Sequence, residues 1–244
     1  MNNNNNNNKK YKKASKIYFE FQNIYWNYKK ICNFFSKISS YEKIILLDIE
    51  AFWWEDSKKV QSSDDFRIPF LIGKQNIVLS DGVLKLGVYK SFSFYKNITK
   101  SNVMENEEKL KNDFFEDINF DEKCAYIYLG GRMEKNFLKN LNNKKNVWCK
   151  DLYEVLDDAK LEKTQLLKNR DILTFGRRKM NIDGKDVRIM AMNDILHNTS
   201  KHLENIIKYN EMELRNAANF IVSMHKKINQ NFKKILVQFI DNNI

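Results

Sequence analysis

The sequence predicts an α/β fold: one mixed sheet of five strands with helices on both faces, an N-terminal helix before it and helices after it. Three observations predict it. Lys43–Phe52 (KIILLDIEAF) is a continuous apolar run that ends in carboxylates, as a strand buried on both faces does. Two further strand-like runs, Phe66–Leu79 and Leu84–Tyr95, flank Ser80-Asp81-Gly82, and Asp-Gly between such runs signals a hairpin. Cys124–Leu129 (CAYIYL) is a short buried strand, broken by Gly130-Gly131 before an amphipathic helix with Met133, Phe137, Leu138 and Leu141.

The remaining elements follow in order. Residues 1–14 are Asn- and Lys-rich and have nothing to bury against the entropy of ordering, so a disordered arm is expected. Residues 15–40 form an aromatic helix: Ile17, Tyr18, Phe21, Ile24, Tyr25, Tyr28, Ile31, Cys32 and Phe35 recur every three or four positions. The expectation is that this face packs on the domain at 41–244, although rings beside lysines also suit bases. Val103–Phe115 is polar with helical spacing, and Val147-Trp148 begins a weaker strand into Asp151-Leu152-Tyr153. Between 160 and 198, Gly176 and Asp183-Gly184 suggest loops or an insertion. From Ser200 the pattern is helical to about Val222, with a last helix to Phe239.

With 244 residues, 43% of them hydrophobic, the chain is long enough to bury a core. One proline and seven glycines argue against a turn-dense all-β fold. No apolar run approaches the roughly 20 residues of a membrane span, and the N-terminal stretch does not read as a signal peptide. Cys32, Cys124 and Cys149 lack paired or zinc-type spacing. A cytoplasmic protein with no membrane association is therefore expected. The net charge is +11, and residues 1–43 hold nine lysines against Glu20 and Glu42, a local +7. A basic arm on a nearly balanced domain suits phosphate, although AT-rich codon usage produces the same tail.

The chemistry rests on carboxylates. Asp48 and Glu50 stand at i and i+2 of a strand, so both point to one side of the pleat. Two such groups at the end of a buried strand are unfavourable without a cation, and Mg²⁺ or Mn²⁺ prefers oxygen ligands. Glu134 follows the Gly-Gly break; by itself it reads as a first-turn carboxylate complementing a helix dipole. Tyr209 and Glu213 lie one helical turn apart on one face. The three histidines show no ligand spacing, and no Ser–His or Cys–His motif is present.

Taken together, DIEAF, FRIPFLIG, GRMEKNFL and IIKYNEMEL resemble the DEDD superfamily of 3′–5′ exonucleases, whose fold is RNase H-like. They look closest to a poorly characterised bacterial RNase H-like branch. The resemblance covers roughly 43–225, with the motifs in order. One position departs: the superfamily's third-motif Asp is Glu213 here. The resemblance implies a metal-dependent phosphodiesterase acting on DNA or RNA, on single-stranded ends, through two Mg²⁺ or Mn²⁺ ions. Asp48, Glu50, Glu134 and Glu213 would be the metal ligands, and Tyr209 would orient the nucleophilic water. Arg132, Arg177, Arg178 and Lys179 would be phosphate contacts. The alternative is a catalytically inactive RNase H-like module that binds nucleic acid or protein.

Overall fold

The computed structural model describes residues 3–53, 67–94, 102–118, 123–131, 133–138, 147–158 and 182–243. In chain order the elements are α1 (Asn3–Ile38), β1 (Lys43–Trp53), β2 (Arg67–Ser80), β3 (Val83–Ser93), α2 (Val103–Ile118), β4 (Cys124–Tyr128) and a short helix α3 (133–138). Then come β5 (Cys149–Asp151), α4 (Leu152–Asp158), α5 (Gly184–Leu196) and α6 (Leu203–Asn243). The sheet order is β3-β2-β1-β4-β5. β1 pairs antiparallel with β2 and parallel with β4, and β4 pairs parallel with β5, so the sheet is mixed as expected.

Alternation along β1 sets the two faces. Ile44 and Leu46 pack into one cluster with Ile31, Phe34, Phe35 and Ile38 of α1 and Leu214, Ala217 and Ile221 of α6. Ile45, Leu47 and Ile49 point the other way, against Leu110, Phe114 and Ile118 of α2 and Phe137 and Leu138 of α3. Ile44 to Leu47 are fully buried. Burying each such side chain favours folding by about 1.5–3 kcal/mol before chain entropy is counted. By the same parity, Asp48 and Glu50 leave the sheet on the α6 side.

The β2–β3 hairpin turns at Asp81 and Gly82, both with positive φ (55° and 73°), the type I′ geometry that Asp-Gly accommodates. Beside the carboxylates the β1–β2 register slips. Glu50 pairs with Leu71, but Ala51 pairs with Pro69, leaving Phe70 as the extra residue. Proline has no N–H for the ladder, and a bulge is where a strand tolerates one.

Five expectations need correction. The helix does not break at residue 14 or 15, since α1 begins at Asn3; extending a formed helix costs far less than nucleating one. The aromatic periodicity of α1 is not one packed face: Ile31, Phe34, Phe35 and Ile38 are buried, whereas Tyr18 and Tyr25 are exposed. The stretch after Val147 holds only the three-residue β5, and Leu152 already starts α4, because Asp151 accepts from the backbone N–H of Tyr153 (2.8 Å) and so caps that helix. Helix α6 is continuous to Asn243 rather than two helices.

The fifth, for the stretch 160–198, falls into two parts. Residues 159–181 lie outside the described residues, but Asp183-Gly184 opens helix α5 rather than a turn. Asp183 accepts from the N–H groups of Lys185 (2.7 Å) and Asp186 (3.0 Å), while Asp186 accepts from the Asp183 N–H (2.9 Å). This is a reciprocal capping box. Val187, Ala191 and Ile195 of α5 then pack with Phe52, Phe70, Leu71, Ile206 and Tyr209, covering the sheet end that bears the carboxylates.

Candidate metal centre

The site is built where β1 ends and α6 crosses it. Asp48, Glu50 and Glu213 each offer a carboxylate oxygen, and the three oxygens lie within 4.8 Å of one another. All three residues are buried. Glu213 reaches this cluster because α6 packs on the face to which Asp48 and Glu50 point, and Leu214, next in sequence, is anchored in that core. The extra methylene of Glu213 therefore does not remove it from the acidic group.

Tyr209 and Glu134 complete the walls. The Tyr209 hydroxyl donates to Glu213 Oε1 at 2.8 Å, bridging one helical turn as their spacing predicts. Both residues line a cavity of about 250 Å³ together with Asp48, Glu50, Glu134, Gly184 and Arg188. Glu134 lines this cavity without joining the tight triad. Its Oε1 accepts from the Ile49 N–H at 3.3 Å, between the two acidic residues of β1. Its Oε2 folds over Gly131, where an added Cβ would come within 1.7 Å of it, so the glycine makes room for the carboxylate.

Gly130 has φ +59°, and a Cβ there would meet the Tyr153 ring at 2.3 Å. Its N–H donates to Asp151 at 3.1 Å. Burial pushes the Asp151 carboxyl up, against the lowering effect of the hydrogen bonds from Tyr153, Glu154 and Gly130. The Gly-Gly break is thus a tight junction between the ends of β4 and β5, and it delivers Glu134 to the site.

Sequence reasoning missed four contributors, Asn210, Gly73, Tyr89 and Arg188. Asn210, fully buried, donates from Nδ2 to Asp48 Oδ2 at 3.0 Å and accepts from the Tyr89 hydroxyl at 3.0 Å. Gly73 is paired with Asp48 across the β1–β2 ladder, and a Cβ there would stand 1.7 Å from Asn210 Oδ1. Burial raises the Tyr89 phenol well above its ordinary value, and the negative charges of Glu211, Asp48 and Glu50 add to that. It therefore stays protonated and able to donate. The fourth, Arg188, lies on α5 in the stretch read as loops; the Asp183-x-x-Asp186 capping pattern was the available signal. The phosphate contacts expected from Arg132, Arg177, Arg178 and Lys179 lie outside the described residues.

A cluster of buried carboxylates at one strand end, facing a late helix, is chemically suited to a hard divalent cation. Against this geometry, a model of the RNase H superfamily matches residues 73–225, more than half of the chain. The chain belongs to the RNase H superfamily. The matched stretch takes in Glu134, Tyr209 and Glu213, while Asp48 and Glu50 precede it on β1. No curated protein matches this RNase H-superfamily chain. Among the described residues, no helix is long and apolar enough to cross a membrane.

Proposed function

We propose that the chain is a metal-dependent nuclease, a 3′–5′ exonuclease that shortens single-stranded ends of DNA or RNA in the cytoplasm. The observation that carries this reading is the approach of the Asp48, Glu50 and Glu213 oxygens to within 4.8 Å in a buried setting. Like charges this close and this dry are costly unless a cation shares them.

Asp48, Glu50, Glu134 and Glu213 would hold two Mg²⁺ or Mn²⁺ ions. When bound, these supply Lewis acidity and charge neutralisation for displacement at phosphorus. The chain's own groups do the positioning. Asn210 orients the Asp48 carboxylate, and Tyr209 orients Glu213 and, from the same cavity wall, the attacking water. Arg188, which lines the same cavity, would meet the phosphate. Water attacks the terminal phosphodiester, the bond from phosphorus to the 3′ oxygen breaks, and that oxygen leaves with a proton. The triad of carboxylates supports this active reading over that of an inactive binding module.

The test is a 5′-labelled single strand incubated with the full chain and Mn²⁺ or Mg²⁺. Stepwise shortening from the 3′ end is expected, with Asp48→Asn and Glu213→Gln each slower by on the order of a hundredfold or more. A strand left intact with both ions, or shortened equally by Asp48→Asn, overturns the proposal.

A further inference from the structure

Helix α1 carries two different faces. Turning at roughly 100° per residue, positions 31, 34, 35 and 38 fall on one side, and these are the buried ones. Positions 18, 19, 25, 26, 29 and 30 fall on the opposite side. There Tyr18 (59% exposed), Phe19 (63%), Tyr25 (45%) and Trp26 (53%) present their rings to solvent. They form two adjacent edge-to-face pairs, Tyr18–Phe19 and Tyr25–Trp26, set about 10 Å apart along the helix. The Lys29 ammonium lies 4.9 Å from the Trp26 ring, and Lys30 is exposed beside it.

What this face lacks is as informative as what it holds. From Ser15 to Lys37 its positions include no aliphatic residue and no carboxylate; Glu20 lies on the other side, paired with Lys16. A coiled-coil seam is built on Leu, Ile or Val, and a helix that sinks Trp and Phe into lipid keeps its cations on the opposite face, whereas Lys29 and Lys30 share the face of these rings. Flat rings beside lysines instead match a ligand with flat rings and phosphates. The local charge of +7 over residues 1–43 has the same complement.

We propose that the solvent face of α1 is a stacking platform for a single-stranded stretch of nucleic acid, with bases on Tyr18, Phe19, Tyr25 and Trp26 and phosphates on Lys29 and Lys30. The proposal rests on the nuclease reading only in taking the substrate class from it, and the platform needs no metal.

The test uses the full chain in EDTA, which takes the acidic site out of play, and a fluorescent oligothymidylate or oligouridylate of about 20 nucleotides followed by anisotropy. The paired variant Tyr25→Ala/Trp26→Ala should raise Kd by about tenfold or more. Lys29→Gln/Lys30→Gln should flatten the slope of log affinity against log salt by about 1.4. Both should melt with the wild type, because these side chains are exposed. Equal affinity of wild type and ring variant overturns the platform, whether or not the acidic site cleaves. So does a ring variant that loses binding to phosphatidylserine vesicles, or dissociates from a dimer to a monomer, while keeping its affinity for the oligonucleotide. Binding that needs the rings and persists in EDTA supports the platform even if the strand is never shortened.

Discussion

At the scale of single residues, the Asp48 carboxylate is held by a chain of neutral donors: the Tyr89 hydroxyl donates to Asn210, and Asn210 donates to Asp48. Groups that orient a metal ligand commonly matter tenfold to a hundredfold in metal affinity. Asn210→Ala should therefore weaken Mn²⁺ binding by about that factor, read as the midpoint of a metal titration. It should cost stability by only about 1–2 kcal/mol, because the Tyr89 hydroxyl also lies 3.5 Å from the Ile207 carbonyl. Unchanged Mn²⁺ affinity would show that Asn210 merely fills space. Asp48 with Glu50, and Tyr209 with Glu213, were legible in the sequence as same-face pairs because strand and helix periods set them so, while only the family resemblance implied that the two pairs meet. Asn210 was not, because a neutral amide carries no such mark. Gly73 was not, because its role depends on the long-range register that sets it opposite Asp48.

At the scale of elements, α2 is fixed to β2 by charge as well as by Phe114. Lys74, almost fully buried on β2, pairs with Asp117 of α2, which also receives Lys90 from β3. Burial pushes the Asp117 carboxyl up, but the hydrogen bonds and charges of Lys74 and Lys90 outweigh it, and its pKa is lowered from 3.8. A carboxylate with a depressed folded pKa lends stability that is fully present above its unfolded value. That stability is lost as pH falls through the folded one. Asp117→Asn leaves the buried Lys74 without this anion and should lower stability by about 2 kcal/mol at pH 7. Its urea midpoint should also fall less than the wild type's between about pH 5 and pH 3, and parallel declines would contradict the assignment. Helix α5 shows where element-level reading ran out. Asp-Gly is a turn signal and, with a carboxylate three residues after the Asp, equally an N-cap; only the apolar spacing of Val187, Ala191 and Ile195 separates the two. Asp194 then joins α5 to α6, accepting from Thr199 Oγ1 (2.8 Å) and the His202 N–H (2.7 Å).

At the scale of the whole molecule, the sheet and its two helical layers were legible because β1, the hairpin and β4 are short, strongly patterned and bounded by Gly or charge. The solvent face of α1 was not, because aromatic periodicity records a stripe without recording what covers it. The fold brings β1, α3, α5 and α6 to one sheet end, and there the acidic groups meet. If Asp48, Glu50 and Glu213 form a divalent-metal site, binding must stabilise the folded chain by linkage. The direct measurement is the melting curve with and without millimolar Mn²⁺ or Mg²⁺, for the wild type and for Asp48→Asn. With metal about a hundredfold above its Kd, the wild-type Tm should rise by roughly 5–10 °C. Asp48→Asn should show no rise. A wild-type curve unchanged by both ions, or an equal rise in Asp48→Asn, would contradict a metal centre at this site.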